Sequence, residues 1–141
     1  MNISPHHIEQ YLAVPYIDGG RDLAGWDCWG LVRYVLMTHA GITSINSYSH
    51  ICPDDKLALT KAFYCERQQF ELARPSVGAV AAVFRGAGKK QLMIHVGVVV
   101  DDGGVLKVLH TGRAAGPSKM PLRRFEAINS RVQYYVHRSL C

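Results

Sequence analysis

One cysteine and two histidines in this 141-residue sequence have the types and spacing required for thiol chemistry. Cys28 follows Asp27 at the start of an apolar helical pattern, and His95 and His110 flank a DDGG segment. A helix N-terminus and a neighbouring imidazolium both lower the pKa of a thiol and so favour the nucleophilic thiolate. His95 can act as its general base, and His110 can orient His95. The pattern predicts a Cys-His-His site.

The DDGG segment predicts a β-hairpin that brings the two histidines together. Asp-Gly at its centre favours a type I′ turn, which pairs Asp101 with Gly104. Continuing that register along both strands places His95 directly opposite His110, where cross-strand side chains share a face. A three-residue loop or a bulge would break this alignment.

Alternation along the first strand of the hairpin predicts which side chains accompany the histidine. Met93, His95 and Gly97 point to one face, whereas Ile94 and Val96 point to the other. The glycine leaves space beside the imidazole. This strand is therefore expected to offer one apolar face and one face carrying an accessible histidine.

The remaining pattern predicts the elements that position these residues. Asp27 is a good N-cap for a helix whose apolar stripe, at i, i+3, i+4, i+7 and i+8, starts at Cys28. Helices are also predicted at 5–13 and 54–70, and strands at 77–84, 92–100, 105–110 and 132–137. Since helices come first and strands after, the sequence predicts one α+β domain over 1–141 with a mostly antiparallel sheet.

Composition limits the classes of protein and the groups that it could bind. Hydrophobic residues make up 48% of the chain and charged residues 19%, which favours a packed core over disorder. The net charge of +5 is not concentrated in a long basic block, so nucleic-acid binding is not expected. The four cysteines form no CxxC pair, which argues against structural zinc. No metal or organic cofactor is expected.

The N-terminus and the apolar runs predict where the protein is made. The first sixteen residues, MNISPHHIEQYLAVPY, contain neither a basic region nor an apolar core typical of a signal peptide. The apolar run 93–100 is too short to span a bilayer. Cytoplasmic synthesis without a signal peptide is therefore expected.

Other roles for the same residues remain open at this point. A cysteine in the first turn of an amphipathic helix is often only a small buried residue. A pair of histidines across two strands can be a metal site or a satisfied polar pair. Asp101 and Asp102 compete with His110 as the orienting group, although their place in the turn favours exposure to solvent.

Three segments resemble the NlpC/P60 family of cysteine peptidases. PYIDGGRDLAGWDCWGLVRYV resembles its nucleophile motif, MIHVGVVVDDGGVLKVLHT its histidine motif, and VGAVAAVF the strand between them. GGRD, GWDCWGLVR and the closing YYVHR are most similar to domains found with phage tail-tip assembly proteins and prophages. The resemblance spans roughly residues 11–138 and is weak over 42–74.

The resemblance implies a papain-like fold and a role for several residues. It makes Cys28 the nucleophile, His95 the base and His110 the third catalytic residue. Tyr16 matches a tyrosine that lines the site and helps to stabilise the oxyanion, and Asp27 matches the residue before the cysteine, which caps the helix.

Two positions depart from the pattern of the family. Trp29 follows the nucleophile where many relatives have serine, and it is expected to reshape or narrow the cleft. Gly78-Ala79 stands where many relatives have Gly-Asp, which removes no reactive group.

The leading hypothesis for function is a peptidoglycan endopeptidase. The resemblance implies cleavage of a stem-peptide amide, with the D-Glu–diaminopimelate bond as the candidate. One alternative is a structural or assembly module of a phage tail or prophage, which keeps the fold but has little activity. The resemblance also implies phage tail-tip proteins as partners and a place on the virion tail, from which an enzyme would act on the cell wall. Another alternative is a thiol amidase or acyltransferase on a different substrate, because the cleft rather than the triad selects the substrate.

Overall fold

The structure, a computed structural model, describes residues 1–129 and 131–141. Over these residues it is an α+β fold in which helices pack on a six-stranded antiparallel sheet, so the predicted class is confirmed. The helices are α1 (Pro5–Leu12), α2 (Cys28–Ala40), α3 (Lys56–Glu66) and α4 (Leu122–Ile128). The strands are β1 (Arg21–Asp22), β2 (Gly25–Trp26), β3 (Phe70–Ala73), β4 (Val80–Arg85), β5 (Leu92–Asp102), β6 (Val105–His110), β7 (Ser118–Pro121) and β8 (Val132–His137).

The six-stranded sheet has the order β3-β8-β4-β5-β6-β7, while β1 and β2 form a separate two-stranded ribbon before α2. All strand pairs in both sheets are antiparallel. The sequence did not predict β1, β2, β3, β7 or α4, because each is too short to establish a clear periodicity. No helix in the described part of the chain is long and apolar enough to cross a bilayer.

Helix α2 forms as its sequence predicts. The Asp27 carboxylate accepts a hydrogen bond of 2.9 Å from the Gly30 N–H and so caps the helix. The helix ends at Gly41, which adopts the left-handed conformation with φ of 68°. The predicted stripe is buried: Leu31, Val32, Val35 and Leu36. The buried stripe anchors α2 on the sheet and therefore places its first residue, Cys28.

The other predicted helices differ from the observed ones mainly in length. Helix α1 starts at Pro5 with Ser4 as its cap, as predicted. The predicted helix at 54–70 is shorter in the structure, since α3 starts after its cap Asp55 and ends at Glu66. A 3₁₀ turn follows over Arg67–Gln69, and buried Phe70 then opens an extended edge strand.

The predicted hairpin forms, but its predicted register is wrong by two residues. Asp102 pairs with Val105, so the loop consists of Gly103 and Gly104, with φ of 64° and 88°. A type I′ turn needs positive φ at both central residues, and two glycines meet this requirement better than Asp-Gly. Val98 therefore pairs with Leu109, and the next position along the ladder sets Gly97 opposite His110.

A bulge just before His95 interrupts the predicted alternation. Val83 pairs with His95 but Phe84 pairs with Met93, which leaves Ile94 as an extra residue in β5. Met93 consequently joins the main core with Val96, whereas Ile94 packs against the smaller cluster on the other face of the sheet. The predicted faces of Met93 and Ile94 are thus wrong.

Candidate active site

Cys28 and His95 line one cavity, between the start of α2 and strand β5. Cys28 is the first residue of α2 and is partly buried. Its sulfur interacts with the main-chain N–H groups of Val96 and Trp29. The thiol thus lies against the peptide bond between His95 and Val96. This contact joins the start of α2 to β5 next to His95, the residue that the sequence predicted as the base for Cys28.

His95 and His110 form a directed pair. His95 Nε2 and His110 Nδ1 are 2.9 Å apart, and the ring planes are inclined by 77°. The shift of two residues in the hairpin keeps both side chains on the same face, because faces alternate with a period of two. The predicted contact therefore forms, although along a diagonal rather than between directly opposed residues.

The histidine pair determines the tautomer that a base at His95 requires. If Nε2–H of His95 donates to His110 Nδ1, His95 Nδ1 keeps its lone pair and can accept the thiol proton. His110 then carries its own proton on Nε2, which is buried and has no hydrogen-bond partner among the described residues. Phe125 of α4 packs on both rings, with centroids 6.3 Å from His95 and 5.1 Å from His110.

The electrostatics of the site favour a neutral resting pair. Burial, the neighbouring His110 and Lys56 lower the pKa of His95 to about 3. Burial and the carboxylate of Asp27 raise the pKa of the Cys28 thiol, against the lowering effect of the surrounding N–H groups and Lys56. The expected lowering of the thiol pKa is therefore wrong, because burial outweighs the helix N-terminus.

Tyr16 lies near Cys28 but is not among the residues that line the cavity, so its part in the site stays a prediction. It is linked to Trp26 by an isolated β-bridge, and the charge of a Cys28 thiolate acts on its hydroxyl. Burial and a hydrogen bond to Asp18 raise the pKa of Tyr16, so the hydroxyl stays protonated and is a donor. Arg113 covers the ring at 5.9 Å from its centroid.

Asp27 lines the cavity and connects several neighbouring segments of the chain. It is 2% exposed, and its carboxylate accepts hydrogen bonds from Gly30 N–H, Gly19 N–H and Arg21 Nη1. Arg21 in turn donates to the Ser47 carbonyl at 2.7 Å, which ties the loop after α2 to the ribbon. The predicted cap is confirmed, while a direct contact of Asp27 with substrate stays a prediction.

Trp29 lines the cavity and holds the same loop. Its Nε1–H donates to the Asn46 carbonyl at 3.0 Å, and its ring lies 6.5 Å from that of Tyr48. A serine at this position could not span that distance. Trp29 therefore holds the loop after α2 in place at one side of the cavity. Its role in binding substrate stays a prediction.

Three residues of the site have no prediction from sequence. Arg21 is part of the GGRD segment, but nothing in the sequence indicates that it would pair with Asp27. Phe125 belongs to an unpredicted helix, and Lys56 is one of two lysines in the predicted helix at 54–70, with no feature of the sequence that sets it apart. Among the described residues no group of three or more His, Cys, Asp or Glu side chains is arranged to hold a metal ion.

Gly97 makes room for the histidine pair, which leads to a prediction for Gly97→Ala. A Cβ at this position would lie 2.5 Å from Val108 Cγ1 and 3.0 Å from His110 Cβ. We expect a loss of about 1–3 kcal/mol in the free energy of unfolding from overpacking. Displacement of His110 should also reduce kcat/KM by about 100-fold. Urea unfolding and kinetics measure the two effects.

Gly112→Ala is the matched control for this prediction. Gly112 lies two residues after His110, but a Cβ at this position would meet nothing within 4 Å. Its stability and activity should equal those of the wild type. Wild-type activity of Gly97→Ala would contradict a role for the spacing of the two imidazoles.

Comparison with known proteins identifies the family. The sequence model described as "NlpC/P60 family" matches residues 13–124. The crystal structure of the NlpC/p60 domain of peptidoglycan hydrolase SagA superposes with a TM-score of 0.51 at 19% identity, covering 95% of this chain and 98% of that one. No curated protein sequence matches significantly. The fold is that of the SagA domain, and the chain belongs to the NlpC/P60 family.

Proposed function

We propose that this protein hydrolyses an amide bond in peptidoglycan stem peptides, with Cys28 as nucleophile, His95 as base and His110 as the residue that orients His95. The observation that carries the proposal is the 2.9 Å contact between the two imidazoles, with His95 and Cys28 lining one cavity. Membership of the family and a fold shared with a domain of a peptidoglycan hydrolase support the substrate class.

Acylation begins from a neutral thiol and a neutral imidazole. Cys28 Sγ attacks the carbonyl carbon while its proton passes to His95 Nδ1, so no stable thiolate is needed beforehand. The imidazolium that forms is stabilised by its hydrogen bond to His110. The Cys28 N–H, at the start of α2, has no partner within the helix and can stabilise the oxyanion. The Tyr16 hydroxyl can assist when its proton turns from Asp18 to the oxyanion.

Collapse of the tetrahedral intermediate completes the reaction. The C–N bond breaks, and His95 returns its proton to the leaving amine. Water then attacks the thioester with His95 as base, which releases the acid and restores the thiol. Each step uses only groups of this chain and one water molecule.

Digestion of diaminopimelate-type murein with the purified protein tests this function. Cleavage between D-Glu and diaminopimelate leaves L-Ala-D-Glu on the glycan and releases diaminopimelate-containing peptides, which mass spectrometry identifies. Fragments that arise from cleavage elsewhere in the stem peptide would support the same class of enzyme but assign it a different bond. Absence of any fragment at high enzyme concentration would contradict the proposal.

We also propose, from the resemblance alone, that the protein acts in association with a phage tail. A tail-borne enzyme would be carried to the cell wall by the particle and would contact tail-tip proteins. Co-purification with tails, followed by murein digestion on the intact particle, tests this placement. Bound but inactive protein would instead favour the assembly module.

A further inference from the structure

Helix α3 contacts β5 at the bulge that precedes His95. The Thr60 hydroxyl accepts the Met93 N–H at 2.9 Å and donates to the Lys56 carbonyl at 2.6 Å. The Lys56 ammonium donates to the Ile94 carbonyl at 3.1 Å. Helix α3 therefore provides hydrogen-bond partners for the Met93 N–H and the Ile94 carbonyl, two main-chain groups at the bulge. These contacts fix the conformation of β5 at the point where the His95 side chain enters the cavity.

Lys56 also supplies the positive charge that acts on both reacting groups. Its charge opposes the rise in the thiol pKa of Cys28 and contributes to the low pKa of His95. A cation near both groups stabilises a thiolate and disfavours an imidazolium. It therefore favours the nucleophile while keeping the base unprotonated.

Several other charged or titratable groups surround the thiol. Asp27, at the start of α2, opposes the effect of Lys56, and it is itself paired with Arg21 of β1 at 2.7 Å. Tyr16 approaches from the loop before β1 as a neutral hydroxyl. From the sheet, His95 faces the cavity, and His110 lies behind it. Among these groups only Lys56 is an unneutralised cation that acts on the sulfur.

We propose that Lys56 is a positioning residue of the hydrolase site, which holds the bulge that orients His95 and electrostatically favours the thiolate of Cys28. This inference rests on the proposed role of Cys28 as nucleophile. The group that moves is the thiol proton, which passes from Sγ to His95 Nδ1. Lys56 takes no part in this transfer and does not contact the substrate.

Alkylation of Cys28 by iodoacetamide tests this role without a substrate. The rate is measured from pH 5 to pH 10 by mass spectrometry of the peptide, in a chain where the exposed Cys52, Cys65 and Cys141 are serine. Lys56→Met should move the midpoint of the profile upward by about one pH unit, a loss of up to about tenfold in rate near neutrality. Lys56→Arg, which keeps the charge, should retain the midpoint.

Two further variants separate charge from structure. Lys61→Met removes an exposed lysine of the same helix and should leave the profile unchanged. Thr60→Val removes the contact to the Met93 N–H but no charge, so it should keep the midpoint while lowering the melting temperature. If Lys56→Met does not fold, Lys56→Gln takes its place, because it keeps a donor for the Ile94 carbonyl without the charge.

The outcomes distinguish this inference from the proposed function. A folded Lys56→Met or Lys56→Gln protein with the wild-type profile would overturn the role of Lys56 and leave the nucleophile untouched. Murein hydrolysis that persists in Cys28→Ala would overturn the nucleophile itself, and the role of Lys56 with it. A shifted midpoint with intact folding supports the inference.

Discussion

Replacement of Cys28 by alanine should reduce amide hydrolysis by about 10⁴-fold or more, because the acyl-enzyme can no longer form. Water would have to attack the amide directly, with only the oxyanion donors left to assist it. Release of murein peptides, quantified by mass spectrometry, measures the loss. The variant should fold normally, since removing one partly buried sulfur leaves the buried stripe of α2 intact.

The matched control is Cys65→Ala on α3. Cys65 is exposed and lies outside the cavity lining, so its removal should leave the rate unchanged. Circular dichroism and melting curves of both variants exclude unfolding as the cause of a lost rate. Peptide release by Cys28→Ala at the wild-type rate would refute the assigned nucleophile.

The elements that carry the site were predictable where local patterns determine them. Asp27 followed by an apolar stripe defines the start of α2, and hence the location of Cys28, without reference to the rest of the chain. The hairpin between the histidines was equally clear. Its register was not, because Asp-Gly and Gly-Gly turns differ only in which residues must take positive φ, and Gly103-Gly104 satisfies that condition more fully.

The predicted contact between the histidines forms although the predicted register is wrong, and the reason is physical. A shift of two residues preserves the face of every side chain, whereas a shift of one would have sent His110 to the opposite face. Gly97, opposite His110, then provides the space that a diagonal contact needs. The sequence therefore predicts the location of the histidine pair more reliably than its detailed geometry.

The features that sequence reasoning missed are those set by distant parts of the chain. The bulge at Ile94 arises between β4 and β5, and its polar groups are satisfied by α3. Burial of the thiol, which raises its pKa, depends on how α2 packs on β5. Neither effect follows from periodicity or spacing, since both depend on contacts between segments far apart in sequence.

Replacement of His95 by glutamine should lower kcat/KM by about 10³-fold, because the thiol loses the only imidazole that lines the cavity in the described part of the chain. Glutamine is close to the imidazole in size, so the cavity should keep its shape. Kinetics on murein peptides measure the loss. His50→Gln is the matched control, because His50 is exposed and outside the cavity lining; it should keep wild-type activity.

The same substitution should change how stability depends on pH. The folded-state pKa of His95, about 3, lies below its unfolded value of 6.5, so its stabilising contribution is complete above pH 6.5 and is lost as the pH falls toward 3. His95→Gln removes up to one proton from that dependence, about 1.4 kcal/mol per pH unit. Urea unfolding at pH 7 and pH 4.5 should therefore show a smaller loss on acidification in the variant. An equal loss in both proteins would mean that folding does not lower the pKa of His95, which would contradict the burial of this imidazole as a neutral group.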